Sequence, residues 1–458
     1  MAWGGSKGTR RPAPCNVRNS AFGHEHAGDG MNEEMGRDET SLPGDPGPGA
    51  VTFETARDTV FSHLPPPREE TVDLLDALGR VLASDVVADQ DDPGEDRSLR
   101  DGYALISRAS NTARPAEPAA FSIRHSVSAG DVPDFTLDEM ECVSIATGAP
   151  LPEGTDTVVP LEEARIEGDR LLLSAPVGGG THVRRRGEHF RRGDVLAPAG
   201  RVVRPEEIQA LASSGLSRVK TVAFPSVAVI STGSELVDAG ESVGAGQVRA
   251  SNLYFIASYV RLASGRSPEM NIVPDQPAAI ENALRETESD IVVTTGGTSK
   301  GRKDFMREVL ASLGAKIHFD SVTMLPGRSF FFATLDGRAV FCFPGSPGAS
   351  RTLAWLFLCP AIHLASGRRS VETRDLAAVL TDDITTGRGF TRFLPARVTQ
   401  HAEGYRVRPA TGNLRELYFP SPEVNGLLYI PPDVDFLTAG YEVRVILLEE
   451  IDRETEGF

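Results

Sequence analysis

The sequence has few cysteines and no long apolar run. Its longest apolar stretch, residues 353–365, is interrupted by a proline and a histidine and is too short to span a bilayer. The four cysteines form no Cys-x-x-Cys pair; they are Cys15, Cys142, Cys342 and Cys359. This spacing argues against a disulfide scaffold, a zinc ribbon and an iron–sulfur cluster.

Positive charge is also scarce. Asp and Glu number 64 against 47 Lys and Arg, which gives a net charge of −17. Nucleic acids and anionic membrane surfaces bind basic faces, so the composition argues against both as partners. No basic segment followed by an apolar one opens the chain, so no secretory signal is predicted. These absences together predict a multidomain enzyme of the reducing cytoplasm.

The length of 458 residues predicts about three domains at roughly 150 residues each. Residues 1–50 are rich in Gly, Pro, Arg and Glu and poor in aliphatics, so we expect a disordered tail there. Residues 51–220 are predicted to form an amino-terminal linker domain. Short alternating runs separated by turn residues predict a mostly β lid inserted at about 90–180.

Three continuous apolar runs, 226–230, 290–294 and 339–343, each lead into a loop of small residues and then a helical pattern. This alternation predicts a three-layer α/β domain over 222–367, with a parallel sheet covered by helices on both faces. Ligands bind such sheets at the carboxyl ends of the strands, where all three loops fall. Strand signals return over 372–452 and predict a small β carboxyl-terminal domain.

Two of these loops could hold a ligand. In the loop 294–301, paired glycines and hydroxyls before a helix suit a phosphate, although the Walker A and GxGxxG patterns are not matched. In the loop 344–348, two prolines and two glycines predict a stiff wall. An ordinary strand–helix turn would explain either loop equally well.

Two charged segments precede this domain. Residues 96–103 carry two carboxylates and two guanidiniums, which could hold Mg²⁺ and an oxyanion respectively. Residues 184–192 carry five arginines around Glu188 in an acidic chain, which suggests focusing of an anionic ligand. Solvated surface charge is the alternative reading of the first segment, and Glu188 could merely pair with the arginines.

The order of these motifs resembles the molybdopterin molybdenumtransferase family, which includes the carboxyl-terminal domain of gephyrin. The resemblance covers about residues 51–450, and its most specific segments are 101–104, 147–154, 185–188, 231–236, 296–304 and 344–347. It implies a dimer that inserts molybdate into adenylylated molybdopterin and releases AMP with the help of Mg²⁺. A molybdopterin adenylyltransferase is then a possible partner.

The resemblance also implies the roles of particular residues. The expected catalytic residues are Asp96, Asp101, Thr147 and Glu188. The expected substrate-binding residues are Arg97, Ser98, Arg186, Gly296, Gly297, Ser299, Gly301, Asp304, Pro344, Gly345, Ser346 and Pro347. The expected metal ligands are Glu188, Glu235 and Asp275. Asp304 could instead cap the helix that follows it.

Several positions depart from the family pattern. Ser234 and Ala250 stand where an Asp is usual, Ser346 replaces an Asn, and His189 replaces an acid. Fewer carboxylates weaken a site for a hard cation. An alternative function is therefore a catalytically weakened paralogue that carries or senses pterin or molybdate. A scaffolding role, by analogy with gephyrin, is a third hypothesis.

The tail generates the first prediction. Deletion of residues 1–50 should leave the melting temperature nearly unchanged, because their composition supports no hydrophobic core. Thermal unfolding of the truncated and full chains measures this. A drop of several degrees would show that the tail packs on the body.

Overall fold

The computed structural model describes residues 49–297, 305–370, 375–410 and 424–448. Within these ranges the α-helices are Phe53–Ser62, Pro205–Ser213, Ser251–Ser264, Pro277–Glu286, Met306–Ser312, Pro347–Leu353 and Cys359–Ala365. No helix in the described ranges is long and apolar enough to cross a membrane.

The first helix, Phe53–Ser62, begins at Thr52, whose hydroxyl accepts a hydrogen bond from the Thr55 backbone N–H at 3.1 Å, as a helix cap does. Its buried face packs far along the chain: the Phe53 ring lies 5.6 Å from that of Phe357 and 4.9 Å from that of Phe393. The helix therefore belongs spatially to the core of the α/β part, although it opens the segment predicted as the linker domain.

The rest of the amino-terminal segment pairs distant pieces of chain. Strand Glu69–Asp73 runs antiparallel to Arg218–Val222, and Val86–Val87 runs antiparallel to Val195–Ala197. After Asp73 the sequence pattern predicts a short amphipathic helix. The structure has only a 3₁₀ turn, Leu75–Ala77, because Gly79, with φ of +77°, ends it at once.

The inserted lid is a six-stranded sheet, which confirms its mostly β character. Its strand order across the sheet is Thr157–Pro160, Gly102–Leu105, Glu141–Ile145, Ala119–Val127, Arg170–Leu173 and Arg165–Glu167. One neighbouring pair is parallel and the others are antiparallel. A separate two-stranded ladder, Arg97–Ser98 with Val183–Arg184, joins the two charged segments.

The central sheet confirms the three-layer α/β prediction and refines it. Its strand order is Glu269–Val273, Val227–Thr232, Ile291–Thr295, Arg338–Phe343, Phe331–Leu335 and Lys316–Phe319. The first four are parallel. Phe331–Leu335 runs antiparallel to Arg338–Phe343 because a tight turn at Asp336 and Gly337, both with positive φ, joins them in a hairpin. Lys316–Phe319 in turn runs antiparallel to Phe331–Leu335. Alternate strand residues, such as Val229 and Ile230, enter separate hydrophobic clusters on the two faces.

The carboxyl-terminal part is a closed ring of β-strands. Strand Thr391–His401 closes it by pairing with both Gly404–Pro409 and Gly426–Ile430. The ring comprises Thr391–His401, Gly404–Pro409, Asp375–Leu380, Glu442–Leu447 and Gly426–Ile430. Strand Met324–Leu325 from the central part pairs in parallel with the first residues of Thr391–His401. The multidomain fold class predicted from the sequence is thus confirmed.

His363, in helix Cys359–Ala365, generates a prediction about pH. Burial, reinforced by Arg368, lowers the pKa of His363 to about 4. The folded chain therefore holds this imidazole neutral while the unfolded chain protonates it near pH 6.5. Its contribution to stability is complete above pH 6.5 and is lost as the pH falls from 6.5 towards 4.

We expect wild type to lose up to about 3 kcal/mol more unfolding free energy than His363→Gln between pH 7.5 and pH 4. Urea unfolding of both proteins across that range measures the difference. Equal losses would contradict the assignment.

Candidate functional site

Four parallel strands end at one edge of the central sheet. In their register Thr232 lies opposite Val273, Ser231 opposite Thr295, and Thr295 opposite Phe343. The loops that follow these strands therefore meet at the edge where α/β sheets bind ligands. The predicted residues Gly296, Gly297, Pro344, Gly345, Ser346 and Pro347 all lie there.

Gly296 is held against the neighbouring strand end. Its φ is +98°, and a Cβ atom on it would lie 2.3 Å from the Thr232 carbonyl oxygen. Gly345 packs against it in turn, since a Cβ on Gly345 would lie 3.7 Å from the Gly296 Cα. Only glycine fits at 296, because the backbone crosses the neighbouring strand end there. The Gly296 N–H donates to the Phe343 carbonyl at 3.2 Å, which ties this loop to the next strand.

Asn252 fastens these loops together. Its side-chain N–H donates to the Gly345 carbonyl at 2.7 Å and to the Thr295 hydroxyl at 3.4 Å. The Ser350 hydroxyl donates to the Pro344 carbonyl at 2.9 Å. The sequence predicted no role for Asn252. It is the second residue of helix Ser251–Ser264, and its place two residues after the departure at Ala250 was its only signal.

Several hydroxyls at this edge are buried without a hydrogen-bond partner among the described residues: Ser231, Thr232, Thr294 and Ser346. The Thr232 Oγ1 lies 3.3 Å from where a Cβ on Gly297 would be, so it sits directly beneath the glycine loop. Buried polar groups are normally paired, so unpaired hydroxyls at a loop edge point to a ligand or water there.

Two predicted metal ligands follow adjacent strands. The Asp275 backbone N–H donates to the Ser234 hydroxyl at 3.2 Å, which ties the loop before Glu235 to Asp275. Ser234 thus stabilises the loop in place of the usual Asp. Within the described ranges no three His, Cys, Asp or Glu side chains form a metal-binding group. The assignment of Glu188, Glu235 and Asp275 as ligands stays a prediction.

Three predicted residues fall outside the described ranges, namely Ser299, Gly301 and Asp304. Both readings of Asp304, helix cap and ligand contact, therefore stay open.

A separate cleft of about 540 Å³ lies in the lid. Arg97, Ser98 and Thr147 line it together with Arg184 and His189. The Arg97 guanidinium donates to the Gly148 carbonyl at 3.1 Å, and the Ser98 hydroxyl donates to the Arg100 carbonyl at 2.5 Å. The structure thus brings two sequence-distant motifs, 96–103 and 147–148, into one cleft.

The predicted catalytic carboxylate Asp96 is bound by the arginine segment. Its two oxygens accept from the Arg185 side chain at 2.6 Å and from the Arg186 backbone N–H at 2.8 Å. The Arg186 side chain turns to Asp91 at 2.6 Å. The Arg192 backbone N–H, followed by Arg186, lowers the pKa of Asp91. These pairs fix the arginine segment to the lid.

Asp101 and Thr147 form the second fixed pair. One Asp101 oxygen accepts from both the Thr147 backbone N–H at 2.7 Å and its hydroxyl at 3.0 Å. These two donors, in that order, hold the pKa of Asp101 below its usual range. Asp101 is therefore ionised at neutral pH and orients Thr147 at the wall of the cleft.

Glu188 closes a turn of the arginine segment. Its carboxylate accepts from the Arg185 backbone N–H at 2.9 Å and lies 3.9 Å from the Arg184 Nε. The neighbouring His189 pairs through Nδ1 with Asp92 at 2.8 Å. Arginines and hydroxyls presented on a rigid lid suit an oxyanion.

The comparisons with known proteins agree with this architecture. Residues 51–215 match the family model of the MoeA N-terminal region (domain I and II). Residues 228–364 match the model of a probable molybdopterin binding domain, and residues 377–448 match the model of the MoeA C-terminal region (domain IV). The molybdopterin molybdenumtransferase of Staphylococcus aureus strain COL is 33% identical over 391 residues, covering 84% of this chain and 93% of that protein. The chain belongs to the molybdopterin molybdenumtransferase family.

Further relatives support this assignment. The molybdopterin molybdenumtransferase of Staphylococcus epidermidis strain RP62A is 30% identical over 390 residues, covering 84% of this chain and 92% of its own length. A crystal structure of the molybdopterin biosynthesis MoeA protein of Pyrococcus horikoshii superposes with a TM-score of 0.76 at 27% identity. It covers 88% of this chain and 100% of the Pyrococcus chain. The family resemblance seen in the motifs is confirmed.

Gly296 provides a test of the strand-end geometry. Gly296→Ala should lower the unfolding free energy by about 2 kcal/mol or more. The added methyl group would have to displace the Thr232 carbonyl, and the alanine would have to adopt a positive φ. Gly240→Ala is the matched control, since open space surrounds that glycine, and should stay within about 0.5 kcal/mol. Equal effects in urea unfolding would refute the close approach.

Proposed function

We propose that this protein inserts molybdate into adenylylated molybdopterin and releases AMP during molybdenum cofactor biosynthesis. The supporting observation is the Gly296 loop, pressed onto Thr232 at the ligand-binding edge of the segment that matches a molybdopterin binding domain. Relatives covered over more than nine-tenths of their length carry the name molybdopterin molybdenumtransferase.

Each half of the site suits one part of the reaction. At the strand ends, the Gly297 backbone N–H and the buried hydroxyls beneath the glycine loop would bind the phosphates of the pterin nucleotide. In the lid, Arg97, Ser98 and Thr147 would receive molybdate, which is an oxyanion. Breaking the phosphoanhydride then needs a positioned water rather than a covalent nucleophile.

Magnesium dependence belongs to the proposal as well. Asp275 and Glu235 follow adjacent strands, and the Asp275 backbone N–H donates to the hydroxyl of Ser234, the neighbour of Glu235. Their carboxylates would offer the oxygen donors that Mg²⁺ accepts alongside substrate phosphates. The ion would neutralise phosphate charge as the anhydride breaks. Glu188 is a less suitable ligand within one chain, since its carboxylate already caps the Arg185 turn.

We also propose a homodimer whose site is shared between subunits. The lid cleft comes from the amino-terminal half of the chain and the glycine loops come from residues after 222, and a two-fold contact would create two equal sites. Sedimentation at micromolar concentration should show a dimer, and a monomer of 49.1 kDa alone would count against it. A molybdopterin adenylyltransferase as the supplying partner and a cytoplasmic location remain predictions.

The carrier or sensor alternative rested on the missing Asp side chains at 234 and 250. Ser234 has its own structural contact with Asp275, so its presence does not by itself argue for lost activity. The named relatives favour the enzyme.

AMP release separates these possibilities. Purified protein with adenylylated molybdopterin, molybdate and Mg²⁺ should release AMP, and chelation of the ion should abolish release. Asp101→Ala and Gly296→Ala should each lower turnover at least tenfold, about 1.4 kcal/mol, whereas Gly240→Ala should not. Binding of the nucleotide without any AMP release would instead establish the carrier.

A further inference from the structure

A second cavity lies away from the strand-end loops. It encloses about 650 Å³ between the amino-terminal segment, the α/β helices and the last strand of the ring. Its lining includes Arg204, Leu262, Trp355, His363, Arg368 and Arg369. This size is typical of small-molecule sites.

The cavity is separate from the site proposed for molybdate insertion. Helix Ser251–Ser264 connects the two, because Asn252 at its start fastens the strand-end loops and Leu262 at its end lines the cavity. Ten residues of helix separate these side chains by about 15 Å along the axis. An inference about this cavity therefore does not depend on the proposed function of the strand-end loops.

Three arginines give the cavity a positive wall in an acidic chain. Within the described residues, none of Arg204, Arg368 and Arg369 forms an ion pair with a carboxylate. The Arg368 Nε is buried without a hydrogen-bond partner. A buried guanidinium N–H without a partner carries a desolvation cost that a bound oxyanion would remove.

The fold holds two of these arginines in place. Gly367, with φ of +86°, ends the preceding helix, and its Cα lies so close to Val222 that a Cβ would approach that side chain to 2.9 Å. The Arg368 backbone N–H then donates to the His363 carbonyl at 3.2 Å. The Arg369 guanidinium lies against Gly200, since a Cβ on Gly200 would be 3.0 Å from its nearest nitrogen. The carboxyl terminus of helix Cys359–Ala365 favours nearby cations and could explain the presence of Arg368 and Arg369. It does not explain Arg204, which precedes helix Pro205–Ser213.

The opposite wall is apolar and neutral. Trp355, Cys359 and His363 recur at four-residue spacing along one helical face, beginning in a π-turn, Ala354–Leu358. Burial raises the pKa of Cys359 to about 12 and lowers that of His363 to about 4, so both are uncharged at pH 7. Leu262 is 77% exposed beside them. An aromatic face next to arginines suits a planar ring that carries an anion.

We propose that this cavity is a second small-molecule site that binds an organic oxyanion with a planar ring, of the nucleoside monophosphate class. The arginines bind the phosphate and Trp355 contacts the ring.

Trp355 itself reports on the binding. The chain has two tryptophans, so Trp3→Phe leaves Trp355 as the sole emitter. Titration with AMP should change its fluorescence saturably. Adenosine, which lacks the anion, and inorganic phosphate, which lacks the ring, should each bind at least tenfold more weakly. If either fragment binds as tightly as AMP, the assigned ligand class is wrong.

Variants then locate the site. Arg368→Ala and Arg369→Ala should each weaken AMP binding at least tenfold, whereas Arg165→Ala, an exposed lid arginine paired with Glu167, should not. If either variant unfolds early, Arg204→Ser on a separate element supplies the same test. The proposal would be overturned if the variants bind AMP with unchanged affinity, or if AMP produces no saturable fluorescence change. It would also be overturned if Trp355 emission without ligand depends on protein concentration, since this would mark a surface between copies of this chain.

Discussion

The contact on which the site depends is the approach of Gly296 to the Thr232 carbonyl. Adjacent parallel strands end at the same level, and the loop leaving one of them can cross the other only if it carries no side chain at that point. Gly345 stacks on Gly296 from the next loop, and Asn252 fastens Gly345 and Thr295 from the helix side. The result is a bare backbone surface above buried hydroxyls, which suits phosphate.

The lid must hold several arginines close together despite their mutual repulsion. An oxyanion receptor needs several arginines close together, and these repel one another unless carboxylates lie between them. Asp96 and Asp91 supply that negative charge to the arginine segment, while Asp101 is fixed by Thr147 instead. Asp96, one of the expected catalytic carboxylates, therefore also stabilises the arrangement of the cations.

Much of this could be predicted from the sequence, because continuous apolar runs ending in glycine loops specify parallel strands and place ligands at their ends. The antiparallel hairpin at Asp336 and Gly337 was missed although its turn residues are typical of hairpins. The docking of helix Phe53–Ser62 could not be predicted, since an amphipathic pattern shows that a face is buried but not against which residues. The role of Asn252 likewise depends on contacts between three loops that only the fold brings together.

We propose that the lid of one subunit and the glycine loops of another form a single site. The most direct test of this proposal is co-expression of a lid-defective chain, Asp101→Ala, with a loop-defective chain, Gly296→Val, each inactive alone. If the site is shared, each mixed dimer contains one site with both halves intact, and random pairing should restore about a quarter of wild-type AMP release. Mixed dimers that form and remain inactive would contradict the account.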